Sequence, residues 1–411
     1  MSVKSLPVKN KAAKKLLHLG LDVPMLVIVV TLILFGLLML YSASWEYSVS
    51  IMGERPSFLF EKQLKFLALG LGAAGVSTLW GYNKLKPFVV PAMGFTLLLL
   101  LVIYYLGEIR LGAIRGLFAG SVQPSELAKL MVIIYLAFWL SAKQEKLHLL
   151  SFGLFPLAGI LGVTGALILL QPDLSAAATI IVIGGLMFFM AGGEMRQIIP
   201  ALFMAILAGL AVFLIFSTGR ERLGQFIQGI QDPMNASYHV KRAFEAIVRG
   251  GFWGVGIGRS TTKFTGLPVA PTDSIFVIIV EETGLLGASF VLLLFLAFLW
   301  RGLTIAHRAP DALGKFLAAG ISVWIFLEAI INMSVLVNIL PFAGNALPFM
   351  SYGGSNLVTV LTATGLIQSV ARVSAFRTEE EGRPLNAVVD LRRNDGWRGV
   401  SRSRHSAGIQ R

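Results

Sequence analysis

Five ionisable side chains, Glu126, Lys129, Glu281, Glu282 and Glu328, fall inside stretches that are otherwise apolar. Carrying such a group into hydrocarbon costs on the order of 2.5–3.5 kcal/mol on insertion scales, so each one needs a partner, an aqueous cavity or a task. Glu126 and Lys129 are three residues apart, on one face of a helix and able to pair, and a structural ion pair is their ordinary role. Glu281 and Glu282 lie eight and nine residues beyond Asp273, roughly 12–14 Å deeper along a helix. Neighbouring residues point apart on a helix, so both cannot face one cavity equally.

Three turns share a grammar of Pro beside an acidic or hydroxyl residue: Gln123-Pro124-Ser125-Glu126, Gln171-Pro172-Asp173 and Pro271-Thr272-Asp273. Helix capping explains each singly, because Pro fits the first helical position and carboxylates favour the positive end of the helix dipole. It does not explain why all three fall on one side of the membrane in the topology derived below. A basic segment with Arg220, Arg222, Lys241, Arg242, Arg249, Arg259 and Lys263 shares that side, and so does Ser351-Tyr352-Gly353-Gly354-Ser355. The basic segment asks for an anionic partner, and the small residues let a headgroup or another backbone come close. The run Gly254-Val255-Gly256-Ile257-Gly258 is no nucleotide loop, because no strand precedes it and no helix carrying Lys-Ser/Thr follows. With no cysteine and five histidines, none in an HxxxH spacing, thiol chemistry and the common metal motifs are absent from the sequence.

The elements that must hold these groups follow from composition. The chain has 411 residues, 55% hydrophobic and only 14% charged, against about 25% charged in a soluble protein. Ten apolar stretches, near 22–42, 63–80, 88–107, 125–142, 150–170, 173–191, 197–217, 274–300, 313–336 and 352–374, each suffice for a spanning helix, the form that satisfies its own backbone in lipid. The expected fold is an all-α polytopic membrane protein with ten transmembrane helices. With the N-terminus inside, the inner segments hold thirteen Lys and Arg residues and the short outer loops five, which places both termini in the cytoplasm. Residues 1–21 then form a retained basic cytoplasmic segment and 22–376 the membrane domain. Within it, 218–273 is one large extracytoplasmic loop between spans 7 and 8, and 377–411 is a disordered basic cytoplasmic tail. The net charge of +13 is assigned to lipid headgroups and topology, not to nucleic acid.

Taken together, the motifs resemble the SEDS polysaccharide polymerases, the FtsW/RodA/SpoVE family that builds peptidoglycan strands from lipid II. The matching stretches are Gln123 to Lys129, Gln171-Pro172-Asp173-Leu174, Gly254 through Pro268, Thr272-Asp273 with Glu281 to Gly287, Asn332-Met333, and Leu347 to Ser355. They occur in the family's order across about residues 20 to 376. The chain departs from the family pattern in three places. Val269-Ala270-Pro271 stands where Glu-Ala-His is common, Arg115-Gly116 where Arg-Trp is frequent, and Ala343 where many members have Lys before the glycine. Asp273 is retained.

The resemblance implies a bacterial plasma-membrane glycosyltransferase that polymerises lipid II with inversion and releases undecaprenyl pyrophosphate, more like the FtsW division branch than the elongation branch. It implies Asp273 as the essential acid and Glu126 with Lys129 as a supporting ion pair. Inversion needs one base for the acceptor hydroxyl and positive charge for the departing pyrophosphate. Arg110, Arg115, Gln123, Gln171, Asp173, Lys263, Glu282, Ser351, Tyr352, Gly353, Gly354 and Ser355 are assigned to substrate binding. No metal ligands are assigned, although a divalent cation such as Mg2+ or Mn2+ could share the pyrophosphate's charge. The implied partners are lipid II, the lipid-linked glycan strand, a cognate class B penicillin-binding protein as transpeptidase, other divisome or elongasome membrane proteins, and membrane lipids. Two other readings compete: a lipid II flippase, and a catalytically weak scaffold that recruits a transpeptidase.

Overall fold

A chain this apolar satisfies its backbone by coiling, and the computed structural model is helical almost throughout. It describes residues 20–381 except 107, 111–112, 117–122, 172, 216, 233–236, 265–266, 268–269 and 342–343. Its α-helices in chain order are α1 (Val23–Glu46), α2 (Phe58–Trp80), α3 (Val89–Leu106), α4 (Pro124–Lys143), α5 (Leu154–Leu169) and α6 (Leu174–Met190). After them come α7 (Met195–Ile215), α8 (Ser217–Gln231), α9 (Tyr238–Gly250), α10 (Ile275–His307), α11 (Ala312–Leu336) and α12 (Gly354–Glu381). Each of the ten apolar stretches falls on a helix. Among the described residues, six segments, on α1, α3, α4, α10, α11 and α12, are long and apolar enough to cross a membrane by length and composition. The apolar parts of α5, α6 and α7 are shorter.

The starts of α1 and α11 are capped by aspartates. Asp22 accepts from Met25 N at 3.0 Å, and Asp311 from Gly314 N at 2.7 Å. The centre of the molecule lies among α4, α10, α11 and α12, where Trp324, Phe295, Phe298 and Phe316 are fully buried. Large apolar side chains on α2, α3 and α7, such as Leu69, Phe95 and Phe203, face outward, as lipid-facing side chains do.

Three features add detail to the expected helical fold. Between α3 and α4 a short antiparallel ribbon, β1 (Glu108–Arg110) and β2 (Ala113–Gly116), interrupts the all-α pattern, and Arg110 pairs with Ala113. Residues 218–273 are not irregular throughout, since they contain most of α8 and all of α9. On α9, Val240, Ala243, Ala246 and Gly250 are buried at helical spacing beneath a charged face. The third feature concerns span 8, which is no continuous helix.

At Gly284, α10 breaks, with φ 68° and ψ −167°, so a half-helix from Ile275 to Thr283 meets a long one from Leu285 onward. A side chain there would be strained by the positive φ, and its Cβ would lie 2.4 Å from Gly254 N. The break strips the carbonyls of Glu281 and Glu282, and the N–H groups of Leu285 and Leu286, of their partners in the helix. The glycine run supplies replacements. Val255 N donates to Glu281 O and Gly256 N to Glu282 O, both at 3.0 Å. Leu285 N donates to Gly251 O at 3.0 Å and Leu286 N to Phe252 O at 3.3 Å. Backbone therefore meets backbone, and a Cβ at Gly254 would sit 2.2 Å from Glu282 O. Close approach explains the glycines, as irregular backbone in a membrane protein must be satisfied by protein.

Candidate active site

The first group of polar residues is a buried ion triad. Lys129 Nζ donates to Glu126 Oε1 at 2.9 Å and to Glu328 on α11, and it lies 5.8 Å from the centroid of the Trp324 ring. Asn356 Nδ2 of α12 donates to the other oxygen of Glu126 at 2.9 Å. Spacing made the Glu126–Lys129 pair legible, but Glu328 and Asn356 as further partners were not, because they reach it from other helices. One cation thus joins α4 to α11, and Glu126 joins both to α12.

The second group is built on Asp173. Its Oδ1 caps α6, accepting from Ala176 N at 3.2 Å and Ser175 Oγ at 3.0 Å. Its Oδ2 accepts from Ser125 Oγ at 3.1 Å and Gln123 Nε2 at 3.4 Å, tying the starts of α4 and α6 together. Gln123 N in turn donates to Ser355 Oγ at 2.8 Å. Gln171 is turned elsewhere, donating to the carbonyl of Leu100 at 2.8 Å. For Asp173 the capping role is the one the geometry fills.

The third group surrounds Asp273, which is treated differently. Ser274, not Asp273, occupies the N-cap position of α10, and it makes no side-chain capping bond. Asp273 is half-buried in a turn held through its backbone. Tyr352 N donates to Pro271 O at 2.8 Å, Ser351 Oγ to Thr272 O at 2.6 Å and Asn332 Nδ2 to Asp273 O at 2.9 Å. Gln63 of α2 grips the far side of this segment, its Nε2 donating to Ser351 O at 3.1 Å while its Oε1 accepts from Gly353 N at 3.3 Å. Phe349, two residues before Ser351, holds φ 65°, a left-handed conformation that a bulky residue adopts only where its surroundings impose it. The glycine-serine stretch from Ser351 to Ser355 is thus the brace for the Asp273 turn. Gln63 was the part of this brace not foreseen, because in the sequence it stands in the charged stretch Glu61-Lys62-Gln63-Leu64-Lys65, where an amide gives no signal.

The fourth group joins the basic segment to the broken helix. Glu281 accepts from Ser260 Oγ, from Thr261 N and Oγ1 at 3.1 Å, and from Thr262 N at 3.3 Å. Lys263 and Glu282 form a buried pair at 3.1 Å. Among the other basic residues, Arg242 pairs with Glu245 at 2.7 Å, Arg249 bonds Thr261, and Arg220 and Arg259 are exposed. His239 is pushed below its ordinary value by burial and by Arg222, so the charge on this segment near neutral pH comes from Arg and Lys. The side chains of Arg110 and Arg115 lie outside the described residues, although β2 itself packs against α3 and α4.

The family described as "Cell cycle protein", covering FtsW, RodA and SpoVE, matches residues 23–375. The chain belongs to the FtsW/RodA/SpoVE family. It is 35% identical over 362 residues to the probable peptidoglycan glycosyltransferase FtsW of Geobacter sp. (strain M18), covering 86% of this chain and 97% of that one. It is 33% identical over 365 residues to stage V sporulation protein E of Bacillus subtilis (strain 168), covering 86% and 98%. A chain from a solved peptidoglycan synthase complex that coordinates polymerization and crosslinking superposes with a TM-score of 0.71 at 25% identity, over 86% of this chain and 98% of that one. The crystal structure of Thermus thermophilus rod shape determining protein RodA shares the fold, with a TM-score of 0.64 at 24% identity over 86% and 97%. In this FtsW/RodA/SpoVE member, motif residues such as Glu126, Lys129, Asp173 and Ser351 meet partners from outside the motifs, among them Glu328, Asn356 and Gln63.

Proposed function

We propose that this FtsW/RodA/SpoVE member is a peptidoglycan glycosyltransferase that polymerises lipid II into glycan strands in cell division, with Asp273 as the general base. The observation that carries the reading is the alignment of this chain with such enzymes over nearly their whole length. Within it, three bonds to backbone carbonyls hold the turn that carries Asp273.

In the proposed reaction, the acceptor sugar's hydroxyl gives its proton to an Asp273 oxygen as its own oxygen attacks the anomeric carbon of the other lipid-linked sugar from the face opposite the pyrophosphate. The C–O bond to undecaprenyl pyrophosphate breaks and the configuration inverts. Negative charge grows on the leaving pyrophosphate, where the exposed guanidinium of Arg259, and those of Arg110 and Arg115, would meet it. Among the described residues no group of three or more Asp, Glu or His side chains could hold a metal ion. A Mg2+ or Mn2+ ion would arrive with the pyrophosphate and take one or two carboxylates at most. A class B penicillin-binding protein is the proposed transpeptidase partner, in keeping with the polymerization and crosslinking coordinated by the similar synthase complex. Purified protein in detergent, where no two leaflets exist, should convert lipid II into glycan strands in the presence of that partner. A chain that only flips lipid II, or only scaffolds, would make none.

The proposed topology has ten spans, both termini in the cytoplasm and residues 218–273 outside, resting on the charge bias of the short loops. Single cysteines can test it directly, because the chain has none of its own. Gln231→Cys should react with an impermeant maleimide in intact cells, and Lys84→Cys, Lys146→Cys and Arg308→Cys should react only after permeabilisation. Labelling of Lys146→Cys from outside would overturn the topology.

A further inference from the structure

Lys263 is a strongly polar group with every donor occupied. Its ammonium lies 3.0 Å from Ser42 Oγ of α1, 2.9 Å from Gly258 O and 3.1 Å from Glu282 Oε1, and an ammonium has three N–H bonds to give. Ser42 closes the ring by donating to the same Glu282 oxygen at 2.6 Å. The Lys263 side chain is 5% exposed and that of Glu282 is wholly buried, so the ammonium would have to leave Glu282 before it could meet a substrate. The pair stands beside the break at Gly284, where the four backbone bonds between residues 251–256 and α10 are made.

From this we infer that Lys263 is a positioning residue: with Glu282 and Ser42 it latches the glycine-rich segment into the break of α10, and so fixes the half-helix that begins just after Asp273. The half-helix behaves as a short rod. Glu282 is nine residues from Asp273, about 14 Å along a helix. One end of the rod is braced by Ser351, Tyr352 and Asn332, and the other by the latch. Every residue from Ile275 to Val280 is buried between the two ends, so tilt at the latch passes to the Asp273 turn. Two neighbouring glutamates divide the work, Glu281 accepting from the Ser260 hydroxyl and the Thr261 and Thr262 N–H groups, and Glu282 binding the lysine and the Ser260 N–H.

The inference rests on Asp273 being the base, and the experiment separates the two claims. Thr262 is buried, and Thr262→Cys in this otherwise cysteine-free chain reports whether the segment is seated. With Lys263 intact, that cysteine should resist an impermeant maleimide. Lys263→Met strands the buried Glu282 carboxylate, so labelling should quicken by at least about tenfold, a change of the size expected when a segment opens locally. In strand synthesis kcat should fall about 10–100-fold with KM for lipid II little changed, because misplacement of a catalytic group costs rate, not binding. The double variant Lys263→Met with Glu282→Gln strands no charge, and it should recover both protection and most of kcat. A substrate-contacting Lys263 predicts the reverse, a raised KM and no recovery in the double variant. That outcome, or unchanged labelling and kcat in Lys263→Met, would overturn the inference. If Lys263→Met does not accumulate, the double variant alone decides, by keeping or losing protection and kcat. Failure of the wild-type chain to make glycan would sink the glycosyltransferase reading and leave the labelling result standing.

Discussion

Lys129→Ala should yield a protein that accumulates poorly and melts far below the wild type, while Glu328→Gln should be mild. Lys129 is 4% exposed and serves two carboxylates on different helices, so its removal leaves Glu126 and Glu328 buried together without a cation. Breaking a buried pair by removing one partner costs about 3–5 kcal/mol, a large part of any domain's stability. Glu328→Gln, in contrast, leaves the Lys129–Glu126 bond and the Asn356 bond in place. By the same argument Glu126→Ala should do more damage than Glu126→Gln, since the amide can still occupy the space between Lys129 and Asn356. Melting temperatures of the detergent-purified variants check the order. A fully stable and active Lys129→Ala would make the triad incidental to the fold.

The triad also shows what the sequence could and could not tell. Spacing of three put Glu126 beside Lys129, and each of the ten apolar stretches fell on a helix, because both signals are local. Glu328 and Asn356 are 199 and 230 residues from the groups they bind, and only the packing of α4, α11 and α12 brings them there. The grammar of Pro beside an acidic or hydroxyl residue offered capping at both Asp173 and Asp273. The structure separates them, because capping depends on where the first helical turn starts, and at α10 that start is one residue late. The glycine run between Gly250 and Gly258 was legible as unusual but not as a partner to a broken helix. Its meaning lies in four backbone bonds to residues some thirty positions on. Amphipathic spacing on α9 was present in Val240, Ala243 and Ala246 and was obscured by the basic residues around them.

The largest effect on chemistry is expected at Asp273. Asp273→Asn keeps the size of the side chain and leaves the three backbone bonds to Ser351, Tyr352 and Asn332 untouched, so expression, melting temperature and lipid II binding should stay near those of the wild type. An amide cannot take the acceptor hydroxyl's proton, however, and loss of a general base typically costs 10²–10⁴-fold. The His and Lys common in related sequences are absent, with Pro271 and Ala343 in their places, so no obvious side chain substitutes and the loss should fall at the upper end of that range. The direct measurement is the rate of glycan strand formation from labelled lipid II by purified wild type and Asp273→Asn in detergent, each with the partner transpeptidase and with lipid II binding measured in parallel. Strands are expected from the wild type and, from Asp273→Asn, binding without strands; near-normal strand synthesis by Asp273→Asn would contradict the role of Asp273 as the base.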